Sequence, residues 1–226
     1  MSASRTRPSP VTAASPEPGR DCPLCPRLVG YRMENRQAHP DWFNGPAPSF
    51  GSTDARLLVV GLAPGRMGAN RTSRPFTGDY AGVLLYDTLL RYGFARGVYA
   101  ARIDDGLELV DCMVTNAVRC APPGNRPTPE EESTCRPFLA ARIASLPNLR
   151  AIVTLGDVSR RNVLRALGHK PGAAAAGHGV ETDLGALRLF SSYHCSRLNT
   201  NTGRLTPEMF RKVFASVRQH LDRGPA

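Results

Sequence analysis

The sequence predicts an α/β protein, a three-layer sandwich in which helices cover both faces of a central, mainly parallel four-stranded sheet. Short apolar segments recur four times, and each is followed by a polar loop and a helical segment. These segments lack a clean alternation of apolar and polar residues, which is typical of strands buried on both faces. Strands that alternate with helices form parallel sheets, because each crossover returns the chain to the same edge.

The four predicted strands are the apolar runs of the chain. They cover residues 57–61 (LLVVG), 109–118 (LVDCMVTNAV), 151–156 (AIVTLG) and 187–193 (LRLFSSY). Between the first two, residues 80–91 (YAGVLLYDTLLR) place apolar side chains at helical spacing. This spacing predicts an amphipathic helix with one face on the sheet.

The later helices are recognised by their start signals. Thr128 is a candidate N-cap, Pro129 suits the first helical position, and Glu131 completes a capping box. Thr206 opens the last helix in a similar way, without the box. Asp157 is a candidate cap for the helix that follows the third strand. These signals predict a helix after each of the last three strands.

The length of 226 residues suits one domain of ordinary size. We expect a single domain over residues 21–226, preceded by a disordered tail over residues 1–20 that is rich in Ser, Pro and Ala. The tail lacks the apolar centre of a secretory signal, and no run of about 18 apolar residues predicts a membrane span. We therefore expect an intracellular protein without a membrane partner.

The charge balance favours a polyanionic partner. The net charge is +10, from 29 Lys and Arg against 19 Asp and Glu, and the tail contributes only +2 of it. A basic folded domain suits nucleic acid, because bound cations release counterions from phosphate. A surface made basic only for solubility is the alternative at this point.

Four cysteines have the spacing of metal ligands. Cys22 and Cys25 form a CxxC pair, Cys120 follows the second strand, and Cys135 lies 15 residues further on, inside a predicted helix. An intracellular protein is not expected to form disulfides. Four thiolates can hold either zinc or a [4Fe–4S] cluster, and the ligand count does not separate the two. Four unliganded buried cysteines are the remaining alternative.

Three stretches at predicted strand ends resemble a known family. They are GLAPGRMGANRTSRPFTGD (61–79), TNAVRCAPPGNRPTPEEESTCRPFL (115–139) and YHCSRLNTNTGRLTPEMF (193–210). Together with the cysteines they resemble the iron–sulfur branch of the uracil-DNA glycosylase superfamily, and within it the family 5 (type b) enzymes. The resemblance implies a uracil-DNA glycosylase-like fold, a [4Fe–4S] cluster on the four cysteines, and DNA containing uracil or another deaminated base as partner. Hypoxanthine is expected as a further substrate, and the protein is expected to be a monomer.

Ligands of parallel sheets bind outside the carboxyl ends of the strands, where these stretches lie. Breaking the bond between base and sugar builds negative charge on the base, so donors must face the base oxygen. His194 is the predicted donor, and Phe76 is the predicted stacking platform for a base flipped out of the helix. Each has a structural alternative: a satisfied core histidine, and a plug that anchors the loop.

Further side chains are expected to read the base and position water. Asn116 and Asn125 can present both donor and acceptor to a uracil edge, although a turn asparagine is commonly only a turn former. The backbone amides of Ala63 and Gly65 are candidates for a base carbonyl or a water. Asp79 is the candidate carboxylate for the attacking water, with a helix N-cap as the alternative.

The predicted DNA contacts lie in two polar loops. In residues 196–204 they are Ser196, Arg197, Leu198, Asn199 and Arg204, of which Leu198 is a candidate wedge between base pairs. In residues 70–74 they are Arg71 and Arg74. The expected function is monofunctional glycosylase activity that starts base excision repair. A non-catalytic nucleic-acid-binding module and a redox-sensing iron–sulfur protein are the alternatives.

Overall fold

The computed structural model describes residues 15–223, and residues 1–14 of the predicted tail lie outside this range. The helices are α1 (Pro26–Ala38), α2 (Ala69–Thr72), α3 (Tyr80–Arg91), α4 (Pro129–Ala144), α5 (Asp157–Ala166), α6 (Arg197–Asn201) and α7 (Pro207–Asp222). The strands are β1 (Phe50–Gly51), β2 (Leu57–Gly61), β3 (Ala95–Arg96), β4 (Glu108–Leu109), β5 (Cys112–Asn116), β6 (Ala151–Leu155), β7 (Val180–Asp183) and β8 (Arg188–Ser192). Within this range no helix is long and apolar enough to cross a membrane.

The main sheet has six strands in the order β1-β5-β2-β6-β8-β7. The four inner strands are parallel and correspond to the four predicted strands, so the predicted fold class is confirmed. The structure adds β1 and β7 as antiparallel edges. Sequence patterns missed them because β1 has only two residues and β7 alternates between half-buried and exposed positions.

The second inner strand is shorter than the predicted 109–118. Asp111 has a φ of +54° and interrupts the extended chain, so β4 lies before it and pairs with β3 in a separate small sheet. The Asp111 carboxylate accepts hydrogen bonds from the Arg56 backbone amide and guanidinium. The interruption therefore has a local electrostatic partner.

Two apolar cores explain the uninterrupted apolar strands. Leu57 and Val59 of β2 face the core that contains residues of α3 and α7. Leu58 and Val60 face the other core, which contains residues of α4 and α5. Because successive side chains of a strand point to opposite faces, a strand covered by helices on both sides needs apolar residues at every position.

The helix starts largely follow the predicted signals. Thr128 and Glu131 form the predicted capping box of α4, and the Thr206 hydroxyl accepts from the Met209 amide at the start of α7. Asp157 is not a cap: Gly156, with a φ of +96°, occupies that position. The Asp157 carboxylate instead pairs with arginines of its own helix.

The chain is ordered earlier than the predicted boundary at residue 20. Glu17 forms ion pairs with Arg119 and Arg142 of the domain. The backbone amide of Ser49 donates to the Glu17 carboxylate at 3.1 Å. Residues 15–20 therefore pack against the domain, a difference from the tail that composition alone predicts.

Candidate active site

A cavity of about 220 Å³ opens where the inner strands β2 and β5 end and where the chain leaves β8. Its lining consists of Leu62, Ala63, Pro64, Gly65, Phe76, Asp79, Tyr80, Ala81, Asn116, Asn125, His194, Ser196 and Arg197. The seven residues predicted to bind or act on the base all belong to this lining. Parallel topology produces this convergence, because motifs far apart in sequence all follow the carboxyl ends of neighbouring strands.

Phe76 forms one wall of the cavity in a constrained conformation. Its φ is +56°, a region that non-glycine residues rarely adopt. The Tyr99 hydroxyl donates to the Phe76 carbonyl at 3.0 Å, and the Tyr86 hydroxyl donates to the Pro75 carbonyl at 2.5 Å. These two hydrogen bonds hold the loop, and the Phe76 ring centroid lies 6.3 Å from that of His194.

Gly61 allows the ring and an amide to approach the backbone closely. A Cβ at Gly61 would lie 2.4 Å from Phe76 Cζ and 2.5 Å from Asn116 Oδ1. Such distances are far below van der Waals contact. The absence of a side chain at the end of β2 is therefore a requirement of this site.

Asn116 is the last residue of β5 and is 2% exposed. Its Oδ1 is buried and has no hydrogen-bond partner among the described residues. An unpaired buried acceptor costs about 1–3 kcal/mol, so native proteins rarely keep one without a reason. The side chain lines the cavity, where a ligand N–H can satisfy it.

His194 lies two residues beyond β8 and is half-buried. The side-chain amide of Asn199 donates to the His194 carbonyl at 2.8 Å and so fixes its backbone. Burial lowers the pKa of His194 to about 4. The imidazole is therefore neutral at neutral pH, and its ring N–H can donate a hydrogen bond.

Asp79 is the helix N-cap that the sequence offered as one alternative, and it also lines the cavity. Its Oδ1 accepts from the Gly82 amide at 3.1 Å as the N-cap of α3. Its Oδ2 lies against the backbone at Gly68, where an added Cβ would come within 2.4 Å of it. Burial raises the pKa of Asp79 above its ordinary value. One carboxylate thus caps a helix and lines the cavity.

Backbone groups complete the cavity. Among residues 15–223 nothing accepts a hydrogen bond from the amides of Ala63 or Gly65, and both residues line the cavity. Asn125 ends a 3-10 turn with a φ of +56°, is exposed, and also reaches the lining. The turn-forming and site-lining interpretations of Asn125 therefore hold together.

The predicted polar loop at residues 196–204 is partly helical. Residues 197–201 form α6, which the Ser196 hydroxyl caps. Leu198 is 72% exposed. The Asn199 side-chain amide donates one of its two N–H groups to the His194 carbonyl and so supports the site; its predicted contact with phosphate stays a prediction. Arg204 lies over the Tyr193 ring at 4.7 Å.

The prediction that Arg74 contacts DNA is wrong. Arg74 is 3% exposed, and its guanidinium donates to both carboxylate oxygens of Asp105, at 2.9 and 2.7 Å. It also donates to the Thr77 hydroxyl at 2.7 Å. These contacts occupy the Arg74 guanidinium group inside the domain. Arg71 is exposed, as a phosphate contact requires.

Sequence patterns missed one contact at the cavity mouth. Tyr80 lines the cavity, is 41% exposed, and lies under the Arg197 guanidinium at 5.2 Å from its ring centroid. Its position directly after the stretch 61–79, which ends at Asp79, was the available signal. Because both side chains are exposed, they mark the entrance.

The four predicted ligand cysteines line a second cavity, together with Leu28 and Phe138. The Arg119 amide donates to Cys135 Sγ at 3.3 Å, and Arg32 Nη1 approaches Cys120 Sγ at 3.9 Å. Within residues 15–223 no three His, Cys, Asp or Glu side chains form a group that could hold a single metal ion. The four cysteines therefore line a cavity but do not form a site for a single metal ion.

The fold and the site define an α/β protein with an enzyme-like cavity at the carboxyl edge of parallel strands. Comparison with known proteins identifies the family. The chain belongs to the uracil DNA glycosylase superfamily, whose family model matches residues 48–218. The family membership predicted from the motifs is thereby confirmed.

Curated relatives are similar over most of the chain. The type-5 uracil-DNA glycosylase of Thermus thermophilus is 43% identical over 205 residues, 88% of this chain and 93% of the relative. That of Mycobacterium bovis is 44% identical over 211 residues, 88% of this chain and 77% of the relative. A type-4 uracil-DNA glycosylase of Pyrobaculum aerophilum is 32% identical over 152 residues, 67% of this chain and 63% of the relative. The resemblance to the type-5 enzymes is also confirmed.

Proposed function

We propose that the chain is a monofunctional uracil-DNA glycosylase, which hydrolyses the N-glycosidic bond of uracil in DNA and leaves an abasic site for base excision repair. The observation that carries the proposal is the buried Oδ1 of Asn116, which has no hydrogen-bond partner within residues 15–223. Asn116 lines the same cavity as Phe76 and His194. The similarity to enzymes named uracil-DNA glycosylase supports it.

Recognition of the base follows from the wall groups. Uracil presents an N–H between two carbonyls, and Asn116 offers an acceptor and a donor on one amide. The Phe76 ring is the flat surface on which a flipped base stacks. Leu62, Ala63 and Pro64 add no polar side chain at that part of the wall, so the cavity discriminates weakly among deaminated bases. Hypoxanthine is therefore the proposed second substrate.

Bond cleavage leaves negative charge on the base and positive charge on the sugar. The neutral His194 donates a ring N–H to the base oxygen as charge develops, and the amide of Ala63 or Gly65 can add a second donor. Asp79 lines the cavity, where its carboxylate can stabilise the sugar cation and orient water. Asn125 is the proposed additional polar contact to the base.

Contacts with DNA surround the cavity mouth. Leu198, with its exposed side chain, fills the gap left by the flipped nucleotide. Arg197, Arg204 and Arg71 are the proposed phosphate contacts, and Ser196 can add a hydroxyl. The net charge of +10 supports such an interface, and we propose a monomer.

We also propose that residues 21–226 form a single glycosylase domain with a [4Fe–4S] cluster on Cys22, Cys25, Cys120 and Cys135. A cubane cluster takes one thiolate on each of four irons, so its ligands stand farther apart than those of a single ion. Four cysteines around one cavity fit that donor set. These cysteines lie on the N-terminal turn, on the loop after β5 and on α4, so a bound cluster would connect the three segments. A colourless protein with stoichiometric zinc would overturn this cofactor.

The test is a panel of oligonucleotides that contain uracil, hypoxanthine or only normal bases, incubated with purified protein and then cleaved with alkali. Strand scission is expected for uracil and hypoxanthine. Replacing His194 by Ala should lower the single-turnover rate by about 10²–10³-fold. Salt-dependent binding without scission on any substrate would favour the alternative, a binding module.

A further inference from the structure

An acidic residue near the start of the described chain lies between two buried arginines. Glu17 Oε1 accepts from Arg142 Nη2 at 2.5 Å, and its second oxygen pairs with Arg119. The arginine side chains are only 9% and 2% exposed. The Arg119 guanidinium also donates to the Ser49 hydroxyl at 2.9 Å. Glu17 thus places one negative charge between two cations that water barely reaches, and both guanidinium groups share it.

These contacts adjoin the cysteine cavity on two sides. Arg119 precedes Cys120, and its backbone amide donates to Cys135 Sγ at 3.3 Å. Pro18, next to Glu17, lines the cavity. The Cys22 amide donates to the Gly19 carbonyl at 3.0 Å, which folds the short connection back on itself. Fixing Glu17 therefore fixes a stretch of the cavity wall.

The other ion pair of this segment is weaker by position. Asp21 pairs with Arg36 at 2.7 Å, but the Asp21 side chain is 72% exposed. Exposed pairs contribute little, because water and salt screen them. The Glu17 side chain is itself 30% exposed, but its two arginine partners are buried, so removing Glu17 leaves uncompensated charge on groups that water barely reaches. Among the ion pairs of this segment, those of Glu17 therefore hold it more strongly than that of Asp21.

We propose that Glu17 is a positioning residue that closes the cysteine site, holding residues 15–22 as an outer wall that shields a bound cluster from solvent. This inference rests on the cofactor proposed above. A carboxylate in a segment whose composition suggests a tail thereby becomes part of the cofactor site. Its loss opens the site while the sheet and the active-site cavity remain in place.

The experiment follows the absorbance of the purified holoprotein at about 400 nm after an iron chelator is added. In Glu17→Gln the absorbance should decay at least about tenfold faster than in the original protein. Asp21→Asn removes the same charge from the same segment and should decay at close to the original rate. Val217→Ala, a fully buried site on α7, lowers thermal stability and should leave the decay rate unchanged.

Equal decay rates in Glu17→Gln and the original protein would overturn the inference. A Val217→Ala protein that loses its absorbance as fast as Glu17→Gln would also overturn it. An unchanged protein without iron or a visible band contradicts the cofactor proposal instead. In that case, amide hydrogen exchange of the original protein tests whether Glu17 holds residues 15–22 in place. The same measurement is used if Glu17→Gln fails to fold. Slow amide exchange in residues 15–22 supports this role of Glu17, and exchange at the rate of an unstructured peptide refutes it.

Discussion

Adding one methyl group at the end of β2 should disable the site while leaving the fold intact. In Gly61→Ala the new Cβ would lie 2.4 Å from Phe76 Cζ and 2.5 Å from Asn116 Oδ1. Ordinary carbon contacts are about 3.5–4.0 Å, so the ring and the amide must each move by about 1 Å. A displacement of that size can cost about 10²-fold in rate. Overpacking should also lower the free energy of unfolding by about 1–3 kcal/mol.

The assay is single-turnover release of uracil from a duplex oligonucleotide, with urea unfolding measured in parallel. Gly30→Ala is the matched control, because Gly30 is an exposed position of α1 where, among residues 15–223, only its chain neighbours and its own helix backbone approach the added Cβ within 4 Å. It should keep full activity and gain about 0.5–1 kcal/mol of stability. A Gly61→Ala protein that releases uracil within about twofold of the original rate would refute the proposed geometry.

Three further predictions concern His194, the two arginines of residues 70–74, and Leu198. Burial lowers the pKa of His194 to about 4 from an ordinary 6.5, so the unfolded chain takes up the proton first as the pH falls. Up to about 3 kcal/mol of the free energy of unfolding is therefore lost between pH 6.5 and pH 4. Urea midpoints of His194→Gln should fall less over this range, and an equal fall would contradict the prediction. Arg74→Ala should lower the free energy of unfolding by about 3–5 kcal/mol, because it leaves the buried Asp105 carboxylate without its partner. Arg71→Ala should keep the stability of the original protein and reduce the salt dependence of DNA binding by about one charge. An Arg74→Ala protein with the Tm of the original protein would contradict the first prediction. Leu198→Ala should slow uracil release from duplex more than from single strands, and equal slowing on both would exclude the wedge.

Local signals in the sequence were sufficient for the inner sheet and the position of the site. Apolar runs marked the four parallel strands, and the topology then brought Phe76, Asn116 and His194 to one edge. The capping box at Thr128 is a contact across three residues, which a sequence displays directly. Features that depend on periodicity or on neighbouring residues were therefore predictable.

Long-range polar contacts were not predictable in this way. Arg74 and Asp105 are 31 residues apart, and Glu17 and Arg142 are 125 residues apart. No periodicity or spacing connects such partners, so composition suggested an exposed arginine and a disordered tail. The geometry that pairs them arises only after the sheet has formed. The edge strand β7 was missed for a related reason, because its half-buried pattern does not stand out from a polar loop.

The most direct measurement of the central claim is the mass of the products formed from a single uracil-containing oligonucleotide. We predict free uracil in amounts equal to the substrate consumed, together with an intact strand that carries an abasic site. Asn116→Leu, which removes the unpartnered oxygen but keeps a similar volume, should release far less uracil. An intact uracil-containing strand after prolonged incubation with the unchanged protein, or a strand broken without added alkali, would contradict the account.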